Sequence, residues 1–171
     1  MLVNPESVSF KAAIPLGVES LPARELGDRK ARNYAILENW TSFGKVTGMC
    51  FFGPAPRSFI AVDEIVQLVR AVTGWDVDLD ELLRIGERAT NLARAFNVLH
   101  GFSRKDDVLP RRLFEPLPCG PMEGVAISKP DFERTMGTLY ELKGWDPATA
   151  RPTRDRLRGL EIEWVADLLE A

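Results

Sequence analysis

The chain is poor in the side chains that build self-contained reactive centres. Among 171 residues there is one histidine, His100, and there are two cysteines, Cys50 and Cys119, which lie 69 positions apart and in no C-x-x-C pair. One His and two Cys cannot assemble a four-ligand zinc or iron–sulfur site from Cys and His alone. Counting leaves one disulfide open, with two reduced thiols as the ordinary condition inside a cell. No run of five like charges occurs, and 22 basic against 25 acidic side chains leave a net charge of −3, so nucleic acid is not an expected partner. Charges break the apolar runs well short of the roughly 20 residues a spanning helix needs, so a membrane is not expected either. The start, MLVNPESVSF, has neither the basic head nor the apolar run of a secretory signal. The expected setting is therefore cytoplasmic. Long stretches of alternating apolar and polar residues are missing too, which leaves an all-α class.

What is present is helical periodicity between long irregular connections. Residues 1–27 carry Pro5, Pro15 and Pro22 and no helical period; they read as an irregular lead-in, cut from a longer chain. The pattern then predicts a helix from about Asp28, as N-cap, to Phe43, stopping near Gly44. A glycine-punctuated loop, Lys45 to Pro54, follows, holding Cys50 between Gly and aromatics. Val62, Ile65, Val66, Val69 and Val72 predict a second helix to Thr73, with Asp63 and Glu64 at its positive end and Gly74 as stop. Asp78 and Glu81 form the capping pattern of a long third helix. Its expected apolar stripe is Leu82, Ile85, Ala89, Leu92, Ala93 and Phe96, and Gly101 closes it. Residues 102–130 read as one long proline-rich connection laid over another surface. Later helices are expected from Ser128 to Lys143, from Thr153 and from Glu161 to Leu169. The fold class is thus an irregular multi-helix domain over 28–171 with long connecting loops.

Few groups in this pattern suggest chemistry. His100 ends the third helix, where a cation suits the dipole, and no local carboxylate or nucleophile makes it a base. Asp106 and Asp107 stand among Arg104, Lys105, Arg111 and Arg112, and a salt-bridged clasp explains them better than a metal site. Trp40, Trp75, Trp145 and Trp164 read as core or interface anchors. On the residues alone the reading stops at a helical domain with an unusual cysteine loop.

A longer pattern goes further. Gly86-Glu87-Arg88, then Asn91-Leu92-x-Arg94-x-Phe96-Asn97, Gly101-Phe102, Arg104-x-Asp106-Asp107 and Leu109-Pro110-x-Arg112 appear in order. Tyr140-x-Leu142-Lys143-Gly144-Trp145-Asp146 and Pro152-Thr153 follow. Over about Arg29 to the end, the chain resembles the C-terminal helical region of the tungsten-containing aldehyde:ferredoxin oxidoreductase family. That resemblance implies a tungsten (or molybdenum) bis-pterin and a [4Fe–4S] cluster in the complete enzyme, which oxidises aldehydes and passes electrons to ferredoxin.

In that family the fourth cluster cysteine lies in a D-x-x-G-L-C loop that also touches the pterin. Here the matching stretch is Lys45-x-x-Gly48-Met49-Cys50. The resemblance therefore implies Cys50 as a metal ligand and Lys45, Gly48 and Met49 as cofactor-binding residues. Lys45 departs from the family, reversing the charge of its Asp, and could pair with an anionic part of the cofactor. The other three cluster cysteines and the usual catalytic residues have no counterpart in this sequence, so the chain alone is expected to bind no cofactor and to be inactive. The expected partners are the missing N-terminal catalytic domains or subunit, ferredoxin and a second copy in a homodimer. A non-enzymatic helical scaffold is the alternative. An apolar, self-associating surface is expected around residues 44–56.

Overall fold

The computed structural model describes residues 13–22, 25–50, 53 and 60–170. Six α-helices order this part of the chain: α1 (Asp28–Val46), α2 (Val62–Thr73), α3 (Leu79–Leu99), α4 (Lys129–Lys143), α5 (Arg154–Gly159) and α6 (Trp164–Glu170). Short 3-10 turns occur at Ile14–Leu16, Arg104–Asp106 and Arg111–Phe114. Among the described residues no strand forms beyond isolated bridging residues such as Trp145 and Pro152.

Caps account for most helix limits. The Asp78 carboxylate accepts the Glu81 N–H at 2.9 Å and starts α3; Ser128 and Thr153 open α4 and α5 in the same way. Glu64 reaches back to the Ala61 N–H at 2.7 Å to start α2. Two limits differ from expectation. Helix α1 does not begin on Asp28 as cap but on Gly27, and Asp28 instead accepts a hydrogen bond from the Thr138 hydroxyl of α4 at 2.8 Å. The last helix starts at Trp164 rather than Glu161, because Glu161 takes a left-handed φ of 62° that no α-helix admits.

Helix α3 is the axis of the molecule. Its N-terminal half packs with α1 and α2 in a core of Trp40, Phe43, Val62, Ile65, Val69, Val77 and Leu82. Ala13 and Leu16 of the lead-in join this core, and the amide of Asn33 holds Glu19 by both its backbone groups, at 2.9 and 2.8 Å. The α1–α3 crossing is tight at Gly86: a Cβ there would lie 2.7 Å from the Asn39 carbonyl carbon and 2.9 Å from the Phe43 nitrogen. The C-terminal half of α3 gives Ala95 to a second core with Leu157, Leu160, Ile162, Val165, Ala166 and Leu169. Tyr140, Trp145 and Ala150 form a third, smaller cluster.

The expected apolar stripe of α3 holds only at its start. Leu82 is fully buried, whereas Leu92 and Phe96 face solvent and the inward positions of the second half include Asn91 and Arg94. Trp40 and Trp145 anchor cores as expected, while Trp75 and Trp164 are exposed. The connection 102–128 is mostly exposed and partly pairs with itself, Leu117 N–H to the Val125 carbonyl at 3.0 Å and Ile127 N–H to the Leu113 carbonyl at 2.9 Å. Phe114 fixes it edge-on to Phe132 of α4.

Candidate functional site

The Lys45–Cys50 stretch is a helix stop followed by an open thiol. Helix α1 does not end at Gly44; that glycine is buried inside the helix, which continues to Val46. Thr47 caps it, Gly48 takes φ 73°, its N–H bonds the Lys45 carbonyl at 3.2 Å, and the Met49 N–H bonds the Gly44 carbonyl at 2.9 Å. This pair of bonds is a Schellman stop, and the left-handed residue at its heart is why glycine stands at position 48. Met49, half-buried, packs against the first core. Cys50 then emerges exposed and unpaired, its carbonyl accepting the Gly53 N–H at 2.8 Å. The four expected site residues are thus sorted by the turn: Met49 inward, Gly48 at the bend, Lys45 and Cys50 outward.

Lys45 borders a groove of about 490 Å³ between α1, α3 and α4. Glu38, Ser42 and Val46 of α1 line one wall, Ala89, Ala93 and Asn97 of α3 another, and Tyr140 and Lys143 of α4 a third. Its charges are largely paired. The ammonium of Lys143 donates to Glu38 and lies 4.7 Å from the centre of the Trp145 ring. Burial pushes the Lys143 ammonium down to about 8, against the pull of the Glu38 carboxylate, which favours the charged form. Among the described residues Lys45 forms no ion pair, so the groove carries one surplus positive charge at its edge. The Glu38–Lys143 pair joins residues 105 positions apart and left no trace in local spacing.

The long motif builds the scaffold behind this groove. Arg94 grips Asp107 with both terminal nitrogens, at 2.9 and 2.7 Å, and gives Nε–H to the Ala150 carbonyl at 2.8 Å. The Tyr140 hydroxyl donates to the same carboxylate at 2.6 Å; burial first, and then Asp107, raise its pKa well above the ordinary phenol value. Asn91 accepts from the indole of Trp145 at 2.9 Å. Arg88 reaches the Leu160 carbonyl at 2.9 Å and ties Glu81 to Glu161, and Glu87 pairs with Arg156. Asp146, held below the usual carboxylate range by the Thr149 hydroxyl and amide, shapes the turn before Ala150. Two left-handed non-glycine residues, Ala150 and Glu161, both sit where these arginines reach across. The expected clasp of Asp106 and Asp107 with their flanking cations does not form: Asp107 pairs with Arg94 of α3, Arg104 with Glu133 and Arg111 with Glu115, whereas Asp106 accepts the Ser103 N–H at 2.8 Å.

The remaining candidates, His100 and Cys119, are not among the residues that line the groove. His100 is exposed at the end of α3, its Nδ1 within 2.8 Å of the Phe96 carbonyl. Cys119 is exposed and unpaired, so the two cysteines are not bridged. Among the described residues no three Cys, His, Asp or Glu side chains converge as a metal site, and no helix is long and apolar enough to cross a membrane. Among the described residues, the arrangement offers one unpaired cation, Lys45, at the edge of a groove and an exposed thiol, Cys50, five residues further along the chain.

Comparison with known proteins places this architecture. The family described as aldehyde ferredoxin oxidoreductase, domains 2 and 3, matches residues 3–162. A tungsten-containing aldehyde ferredoxin oxidoreductase of Pyrococcus horikoshii is 30% identical over 142 residues, covering 81% of this chain and 22% of the relative. The enzyme of that name from Pyrococcus furiosus is 32% identical over 124 residues, 71% of this chain and 19% of its own length. A further Pyrococcus furiosus protein, an aliphatic sulfonate oxidoreductase, WOR-like subunit, is 33% identical over 90 residues, 49% of this chain and 14% of the relative. The chain thus spans about a fifth of the length of these relatives.

Proposed function

This chain belongs to the aldehyde ferredoxin oxidoreductase family, and from that premise we propose that it is the C-terminal portion of a tungsten (or molybdenum) bis-pterin, [4Fe–4S] oxidoreductase that oxidises aldehydes and passes electrons to ferredoxin. The observation that carries this reading is Cys50: an open thiol set just beyond a rigid helix stop, at the position where the family's motif has a cluster cysteine. A single accessible thiolate fits one corner of a cluster, and no set of acceptors among the described residues supplies the others. The cluster would contribute one-electron transfer; this chain would contribute the Cys50 sulfur and a wall of the cofactor pocket. Gly48 and Met49 would fix the approach of that wall, and Lys45 would meet an anionic part of the pterin cofactor rather than a group that seeks a carboxylate. The other three cysteines and the pterin-holding body would come from N-terminal catalytic domains or a separate subunit, in a cytoplasmic assembly that reduces ferredoxin and pairs as a homodimer. Residues 1–27 form the approach to this portion and 28–171 its helical domain.

The test is metal content. The isolated chain is expected to hold no stoichiometric iron or tungsten, and Cys50→Ser in the complete assembly is expected to lower iron content and bleach the cluster's visible absorbance while the helical circular dichroism of the isolated chain stays unchanged. Full iron retention in Cys50→Ser would remove Cys50 from the ligand set. A second reading, a non-enzymatic helical subunit that keeps the fold, is favoured by one observation, the reversed charge at Lys45; iron-free assembly from native cells would decide for it.

A further inference from the structure

Glycine inside a helix is less stable than alanine, because it leaves the unfolded chain more backbone freedom. Gly86 stands in the middle of α3, and its neighbour on α1 explains it. A Cβ there would lie 2.7 Å from the Asn39 carbonyl carbon and 2.9 Å from the Phe43 nitrogen, whereas at Gly44 and Gly137, helical glycines of α1 and α4, it would meet nothing within 4 Å. One turn on, the Thr90 hydroxyl is hydrogen-bonded to the Ser42 hydroxyl of α1 at 3.2 Å and lies 3.0 Å from the Gly86 carbonyl. Glu38, one turn before Ser42, pairs with Lys143 of α4. These contacts all fall on one short stretch of α1, Glu38 to Phe43, directly before the helix stop. The stop is stiff: besides its two backbone bonds, the Thr47 hydroxyl lies 2.9 and 3.1 Å from the Phe43 and Gly44 carbonyls. A displacement of that stretch is therefore carried through to Cys50.

We propose that Gly86 and Thr90 are positioning residues for the Cys50 sulfur: Gly86 sets how deeply α1 sits on α3, and the Thr90–Ser42 pair sets where along α3 it sits. The inference rests on the reading of Cys50 as one ligand of a cluster. Apolar packing alone fixes such a placement loosely, since hydrophobic attraction has no direction. A backbone-to-backbone approach and a hydroxyl pair are short-ranged and directional. The scale of the effect is sufficient. A methyl at position 86, 2.7 Å from the Asn39 carbonyl carbon, must move out by roughly 1 Å to reach ordinary contact at about 3.5–4.0 Å. That is about twice the ~0.5 Å within which a functional group must be held. The potential of an iron–sulfur cluster responds to solvent exposure and hydrogen bonding at its sulfurs, so misplacing one ligand registers in the cluster's properties and not only in the fold.

The experiment places Gly86→Ala, Thr90→Val and Thr90→Ser in the complete assembly and measures iron content, the electron paramagnetic resonance spectrum of the reduced cluster and its midpoint potential. Leu157→Ala, which loosens the second core without touching α1, serves as the control for general destabilisation. Gly86→Ala and Thr90→Val are expected to shift the potential and alter the spectrum, or to lose iron outright. Thr90→Ser, which keeps the hydroxyl, is expected to restore the parent spectrum and potential, and Leu157→Ala to leave both unchanged. Thr90→Val keeps the side-chain shape and is expected to fold with unchanged circular dichroism, so it decides alone if Gly86→Ala does not fold. A parent spectrum and potential in Thr90→Val overturns the proposal. An equal shift in Leu157→Ala also overturns it, since the effect is then loosening of the fold. Cys50→Ser keeps the two readings apart: iron lost there with Thr90→Val unaltered sinks the positioning role alone, and full iron in Cys50→Ser sinks the ligand and the positioning role together.

Discussion

Glu38 and Lys143 form an ion pair in the lining of the groove, with the ammonium buried and the carboxylate partly exposed, and their energetics depend on pH. Burial disfavours the Lys143 ammonium and lowers its pKa to about 8, while the unfolded chain holds the proton up to the ordinary lysine range. Folding therefore releases a proton between pH 8 and that range, and stability rises with pH across this window. Below pH 8 the charged lysine needs its carboxylate. Glu38→Gln should lower stability at neutral pH by about 2–3 kcal/mol, because it leaves a buried cation uncompensated. Above pH 8 the loss should shrink as Lys143 gives up its proton. Urea unfolding of both proteins at pH values on either side of 8 checks this, and a pH-independent difference would refute it. Lys143 stands out in the sequence only as a helix end and a motif position, and its pairing with Glu38 is not legible there, since a contact across 105 positions leaves no periodic trace. Asp107 was legible as an ion-pairing residue because of its arginine neighbours; that it pairs with Arg94 of α3, and not with the adjacent Arg104, needed the fold.

Single elements were read as well as their stop signals allowed. Helix α2 has the limits that its valine spacing and Gly74 indicate, and α3 opens on the Asp78 cap read from its spacing. Helix α1 outruns its apparent stop because Gly44 lies within the helix, while the backbone requirement for a left-handed residue falls on Gly48. The stripe on α3 was misjudged because periodicity identifies which residues share a face and not which face is inward. Asn91 and Arg94 win the inner side through charged and indole hydrogen bonds that no local pattern encodes. The surface expected around residues 44–56 is represented among the described residues by exposed Val46; residues 51, 52 and 54–56 lie outside them. The closest helix approach gives the sharpest test at this scale. Gly86→Ala should separate α1 from α3 and lower stability by about 3 kcal/mol or more, since a methyl would meet the backbone of Asn39 and Phe43. Gly137→Ala, at an open position of α4, should be neutral or slightly stabilising. Thermal melts of the two variants compare them directly.

Across the whole molecule, α3 belongs to both principal cores, joining Leu82 at one end to Ala95 at the other. Neither core can lose its packing without loosening the helix that supports the other. Leu82→Ala and Leu157→Ala, both at fully buried positions, should each cost about 2–5 kcal/mol and shift a single unfolding transition. Separate transitions by fluorescence and circular dichroism, one moved by each variant, would show that the cores fold independently. The class and helix order of this body were legible in the sequence. The division of labour within it was not, because the family motif marks the arginines and carboxylates that lock α3 to its surroundings, and only Lys45 to Cys50 carry an expected contact with a cofactor.

The helix stop at Gly48 sets an uneven tolerance for changes in chain length. Two backbone hydrogen bonds index Met49 to the last turn of α1, so Cys50 stands at a fixed rotation about that helix. One residue added between Val46 and Cys50 would swing the thiol away from its direction, whereas the largely exposed 102–128 connection can absorb several without moving either core. Insertions and deletions among members of the family should therefore gather after α3 and avoid the five residues that aim the sulfur.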